Sequence, residues 1–128
     1  MPFIDQSNMT EGSPLPGWSG RFFHSDNMTF AHWDIAPDAA DLHEHWHPQE
    51  EVWNVLEGEA IVVLEGQQRR LGSGQAAVVP PNTPHSVRVI GACRAIVVDY
   101  PTRPGLPGLE HREAAEDEAM AAGRATGP

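Results

Sequence analysis

The sequence contains no lysine: all eight of its Lys/Arg positions are arginine, set against eighteen acidic residues. Without lysine there is no Schiff-base amine and no P-loop, because both depend on that primary ammonium group. The formal net charge of −10 repels phosphate backbones and anionic lipid surfaces. Neither nucleic acid nor a membrane is therefore expected as a partner. A single cysteine, Cys93, cannot close an intrachain disulfide. Residues 1–10 lack a basic start followed by an apolar run, so no secretion signal is read there. Together these absences set the expectation of a cytoplasmic protein. No apolar run approaches the ~20 residues needed to span a bilayer. The 128 residues suit one domain, and 12 Gly with 12 Pro favour many tight turns over long helices.

The chain divides into three parts by composition. Residues 1–19 are Pro/Gly/Ser-rich and aperiodic, an arm or extended edge. Residues 20–100 alternate short β-type runs with breaks. The candidate strands are GRFFH, MTFAHWDI, EVWNVLE, AIVVLE, QRRL, AAVV, HSVRVI and CRAIVVDY. Glu57-Gly58-Glu59 and Glu65-Gly66-Gln67 read as hairpin turns, with further breaks at Gly72-Ser73-Gly74 and Pro80 to Pro84. This spacing predicts an all-β sandwich or barrel. Residues 101–128 form a linker and a helical tail. The helix, LEHREAAEDEAMAAG, would end at Gly123. Its apolar face is thin (Leu109, Ala115, Ala119, Met120), which allows a weak or dimer-forming contact.

The segment HEHWHPQEE carries the chemistry. His43, His45 and His47 stand at alternate positions, and alternate residues of a strand share one face. His45 and His47 can thus converge on one ion. Pro48-Gln49 can turn the chain so that Glu51 re-enters as a carboxylate ligand. The best further ligand is His85, which follows a Pro-rich turn and opens a strand with Val87 and Val89 on its face. His43 is read at the pocket mouth or its rim. His24, His32 and His111 have no supporting pattern. An imidazole–carboxylate set suits one divalent transition metal ion per chain (Fe, Mn, Ni, Co, Cu or Zn) and leaves positions open for substrate.

These residues resemble the two motifs of the cupin superfamily. In the first, G-x5-H-x-H-x3,4-E-x6-G, His45, His47, Glu51 and Gly58 match, and Ala39 replaces the leading glycine. In the second, G-x5-P-x-G-x2-H-x3-N, Gly74, Pro80 and His85 match, while Asn82 and Val89 depart. Asn tolerates a left-handed turn better than most residues, and no departure touches a ligand. The fifteen residues between Gly58 and Gly74 are a short spacing of the kind seen in small single-domain cupins. The resemblance covers about residues 20–100. It implies a double-stranded β-helix barrel with the metal inside one end, commonly as a homodimer. Around such a metal, alternation places Trp53 in the pocket on the Glu51 face. Asp99, if inward, is a catalytic proton acceptor, with Glu50 the other candidate base. Arg88 and Arg94 could bind a substrate carboxylate if they face inward, and alternation from His85 puts Arg88 outside.

The fold hosts many activities. Cupins that linearise unsaturated uronates are similar around HPQEE and at Asp99, but they usually have glutamine in place of Glu51. Lyases of dimethylsulfoniopropionate usually carry a tyrosine base where Trp53 stands, and an indole cannot accept a proton. The leading expectation is a metal-dependent enzyme on a small organic molecule, of dioxygenase type. The alternatives are a non-redox isomerase of sugar or uronate type, and a non-catalytic small-molecule binder.

Overall fold

The computed structural model describes residues 3–105, and the helix expected over 109–123 lies outside them. The described residues form eight β-strands and one short 3-10 turn at Gln6–Asn8. The strands are β1 (Thr10–Gly12), β2 (Trp18–His24), β3 (Thr29–Ile35), β4 (Leu42–His45), β5 (Glu50–Leu64), β6 (Gln67–Leu71), β7 (Ala76–Val79) and β8 (His85–Tyr100). All pairings are antiparallel. The N-terminal segment is in part an extended edge, since β1 pairs with β2 and Trp18 opens β2 inside the core.

Two long strands organise the barrel. β5 and β8 pair along nearly their whole length, from Glu50↔Tyr100 to Leu64↔His85. At one end they continue into β3 and β2 on the β8 side and into β7 on the β5 side. At the other end they continue into β4 and β6. One ribbon thus serves two facing sheets, which is the double-stranded β-helix that the motifs imply.

The sequence reading split each of these strands in two, and the structure joins them. Glu57-Gly58-Glu59 is not a hairpin turn but an irregularity inside β5, where the register shifts against β8. Its effect shows in the burial. Before it the odd positions Glu51, Trp53 and Val55 face in, and after it the even positions Ala60 and Val62 do. An extra residue in one strand of a pair reverses the faces beyond it. Gly58 has φ +79, and a Cβ there would collide with the Ala92 carbonyl oxygen. A glycine inside a strand reads equally as a turn or a bulge from sequence alone. Glu65-Gly66 is a true two-residue turn, with positive φ at both residues.

The core lies between the sheets and is rich in tryptophan. Trp18 packs edge-on to Trp33 and Trp53 at centroid distances of 5.3 and 6.0 Å, and Phe22 does so to Trp33 at 5.2 Å. Val55, Val62, Val87, Ala95 and Val97 fill the remaining space. Because Gly58 answers both a backbone and a steric demand, Gly58→Ala should destabilise the fold by about 3 kcal/mol. Urea or thermal unfolding measures this, and an unchanged midpoint would remove the bulge from the account.

Candidate metal centre

Strand curvature brings the two ends of β8 to one place. His85 opens the strand and pairs with His45 at the end of β4. Asp99 stands one residue from its end and pairs with Glu51 near the start of β5. His47 sits just beyond β4, ahead of the bend at Pro48-Gln49. The turn before β8 is tied to this bend, because the Asn82 N–H donates to the His47 carbonyl at 2.8 Å. Asn82 has φ 58, so its side chain meets the left-handed demand of a position where the family pattern has glycine.

Each of the three histidines is fixed in the same manner. Nδ1 of His45 donates to the His43 carbonyl (2.9 Å), that of His47 to Gln49 (3.1 Å) and that of His85 to Thr83 (2.8 Å). A carbonyl can only accept, so the single proton of each neutral imidazole is held at Nδ1. Every Nε2 then carries a lone pair. Burial pushes the pKa of His45 down to about 4, reinforced by His85, and burial likewise lowers that of His47. His45, His47 and His85 are all buried.

Two of these rings, His47 and His85, flank Glu51, whose side chain is 2% exposed. Nε2 of His47 lies 3.4 Å from Glu51 Oε1, and that of His85 lies 3.2 Å from Oε2. Both are close enough to pass for ion pairs, yet neither Nε2 has a hydrogen-bond partner. The tautomers explain this. Lone pairs face lone pairs, and only a cation between them makes the contact favourable. Donors around an ion with bonds of ~2.1 Å stand roughly 3.0–3.4 Å apart, as these do. The three histidines offer nitrogens all within 4.8 Å of one another, and His47, Glu51 and Asp99 form a second such group. The residues present could therefore hold a divalent metal ion.

The remaining contacts hold the carboxylates. Trp53 donates from Nε1 to Glu51 Oε2 at 3.0 Å, so it fills the core and orients a site residue at once. Arg103 Nη1 donates to Glu51 Oε1 at 3.2 Å and lies 3.7 Å from Asp99 Oδ2. Its backbone N–H is tied to Thr29 Oγ1 at 2.9 Å. Burial opposes ionisation of Glu51, and the Arg103 guanidinium favours it. Asp99 goes the other way. Burial first, then the Glu51 charge, pushes its pKa up to about 9, and its Oδ1 has no partner.

Several expected residues stand elsewhere. His43 is exposed, because the register of β4 against β8 slips between Leu42 and His45 and turns both intervening side chains outward. It contributes its carbonyl instead. Glu50 is exposed and faces away from Glu51. Arg88 is exposed, and Arg94 bridges Asp34 and Glu57 on the outer surface. The cation at the site is Arg103, which follows the last strand in a stretch read as linker.

A cavity of about 200 Å³ opens beside these groups, lined by His45, Glu51, Asp99 and Arg103 and by Trp18, Trp33 and Trp53 among others. A larger groove of about 560 Å³ lies elsewhere and holds none of the histidines. Cys93 lines that groove, but burial raises its thiol pKa, which disfavours a nucleophile.

A family model described as a cupin domain matches residues 31–99. The chain belongs to the cupin family. It resembles KdgF from a Halomonas species (TM-score 0.72, 24% identity, 80% of this chain and 96% of that one). It also resembles an RmlC-like cupin from Shewanella frigidimarina (TM-score 0.73, 20% identity, 80% and 93%). Oxalate decarboxylase of Bacillus subtilis, which has Mn(II) centres, aligns at TM-score 0.67 and 20% identity over 77% of this chain and 29% of its own. At these identities the likeness shows the fold. In sequence, an uncharacterized protein of Methanocaldococcus jannaschii is 34% identical over 50 residues, and the transcriptional regulator PuuR of Escherichia coli is 38% identical over 58. The matched segments span 39% and 31% of those relatives. Among the described residues no helix is long and apolar enough to cross a membrane.

The opposed shifts of Asp99 and His45 fix a pH signature for chelator-treated protein. Between pH 3.8 and about 9 the folded chain keeps a proton on Asp99 that the unfolded chain has lost, so stability falls as pH rises. Between about 4 and 6.5 His45 has the opposite effect, since there the unfolded chain binds the extra proton. His47, lowered in the same direction, adds to His45 there, and the Asp99 effect emerges from about 6.5 to 9. Denaturant titrations should show stability declining over that range, and Asp99→Asn should flatten the decline. An identical slope in both proteins would contradict the assignment.

Proposed function

We propose that this cupin is a metal-dependent enzyme acting on a small organic molecule. His45, His47, Glu51 and His85 hold one divalent transition ion, and Asp99 moves a proton to or from the substrate. The observation that carries this reading is the set of three clustered, buried imidazoles with Nδ1 spent on backbone carbonyls, two of which direct Nε2 toward the Glu51 carboxylate. The bound ion would supply Lewis acidity toward an oxygen of the substrate. Burial keeps His45 and His47 neutral, as ligation requires. Trp53 and Arg103 hold Glu51 by its two oxygens.

Asp99 favours proton-transfer chemistry of the isomerase type. It lines the cavity and its carboxyl retains a proton near neutral pH, so it can donate one and take it back. The dioxygenase-type reading rests on the three-His, one-Glu set alone. A homodimer is proposed on the outward row Phe23, Phe30, Val98, Val52 and Val78, successive partners across five strands. Val78 in that row is 56% exposed.

Elemental analysis of native protein should find one ion per chain, lost in both His47→Ala and His85→Ala. Retention in both would sink the ligand assignment. Trp53→Phe keeps the ring in the core and removes the donor to Glu51. It should weaken metal affinity about ten-fold with little change in folding, as loss of a ligand-orienting contact does. With zinc or nickel bound and oxygen excluded, Asp99→Asn should retain the ion and lose about a hundred-fold or more in turnover. Undiminished turnover would remove Asp99 from the mechanism, and activity that requires both iron and O2 would favour the dioxygenase.

A further inference from the structure

The cavity beside Asp99 has two unlike ends. At one, His45, Glu51, Asp99 and Arg103 converge. The rest of its wall is apolar: besides the indoles of Trp18, Trp33 and Trp53, only aliphatic side chains, one proline and one glycine contribute. Two of the three indole N–H groups are already committed, Trp18 to the Ala40 carbonyl at 2.7 Å and Trp53 to Glu51 at 3.0 Å. What the Trp18 and Trp53 rings offer a ligand is carbon surface.

The polar end requires an anion. Two carboxylates, one guanidinium and a divalent ion leave one net positive charge even with both carboxylates ionised. In a cavity this buried, that charge is satisfied by a ligand rather than by bulk water. Arg103 is placed to receive it. Among the described residues only its Nη1 is engaged by side chains, at Glu51 and Asp99, out of five guanidinium donors. Its side chain is 21% exposed, which leaves it reachable from the cavity.

The volume sets the size. About 200 Å³ holds roughly seven waters at liquid density and is below the usual range for drug-sized ligands. A polyhydroxylated ring of that size could stack on tryptophan, but its hydroxyls would then lack partners along the apolar wall. Each such buried hydroxyl costs about 1–3 kcal/mol. A flat apolar ring or short branched chain has no such cost and gains from the indole faces.

We propose that this cavity takes a small carboxylate with an apolar body, its carboxylate paired with Arg103 and its body against Trp18, Trp33 and Trp53. The proposal deepens the metal reading above, on which its charge balance rests. It separates this chain from a site built for sugar acids, whose hydroxyl edges need polar walls.

The test uses zinc-loaded protein, with zinc stoichiometry measured on the same samples, and benzoate, benzamide and galacturonate as probes. Tryptophan fluorescence and titration calorimetry read binding directly, with no turnover needed. Benzoate should bind at least about ten-fold more tightly than either benzamide or galacturonate. Arg103→Gln should weaken benzoate about ten-fold and leave benzamide unchanged, and Arg103→Lys should recover part of the loss. Galacturonate binding as tightly as benzoate, no measurable benzoate binding, or benzoate affinity unaffected in Arg103→Gln would each overturn the proposal. Should those results come with one zinc per chain, the metal reading stands without it. A chain that takes up no zinc would overturn the metal reading, and with it the charge balance on which this proposal rests.

Discussion

Three hydrogen bonds of one kind govern the site: an imidazole Nδ1–H donating to a backbone carbonyl two residues away. His45 and His85 bond backward, to residues 43 and 83, and His47 bonds forward, to residue 49. The direction differs, but the result is the same. The proton is committed, the ring plane is set, and Nε2 faces inward. The carbonyls involved lie at the register slip in β4 (His43), at a bend (Gln49) and in the loop before β8 (Thr83). The irregular backbone around the site is thus what supplies the acceptors, and the regular barrel holds that backbone in place.

The two buried carboxylates have opposite characters for the same reason of placement. Glu51 and Asp99 are direct partners across β5 and β8. Two like charges so close in a low-dielectric interior cannot both be favourable. Glu51 has the closer cation and the indole donor, so it is the one that ionises. Asp99 has an unpartnered Oδ1 and keeps its proton. One group is suited to hold an ion and the other to pass a proton, although their side-chain chemistry is the same.

Most of the barrel and the four candidate ligands were legible because they rest on residue identity at short spacing. HxHxxxE and a distant histidine after a Pro-rich turn need no tertiary knowledge to be seen. Trp53 followed from simple alternation within a regular strand, whereas alternation grouped Asp99 with Ala95 and Val97 without deciding whether that face points inward. Alternation groups His43 with His45 and His47, but alternation fails at a register slip, and slips leave no local mark in the sequence. Glu57-Gly58-Glu59 reads as a turn for a related reason, since only the pairing of β5 with β8 distinguishes a bulge from a chain reversal. Arg103 was passed over because it lies after the last strand among Pro and Gly, and only tertiary folding returns it to the site. The alternation that placed Arg88 outside held, and Arg94 shares its outward face.

The curvature that brings both ends of β8 to the site has a consequence for the order of assembly. His85 and Asp99 are fourteen positions apart on that strand, and Glu51 and His85 are thirty-four apart in the chain. No two adjacent elements can build the centre alone. Chain entropy must first be spent on closing β5 against β8 and seating β4 and β3 beside them. Until then the histidines are separate, solvated and readily protonated. The capacity to bind an ion is therefore acquired late, as a property of the closed barrel rather than of any segment, and bound metal would mark those chains that have finished folding.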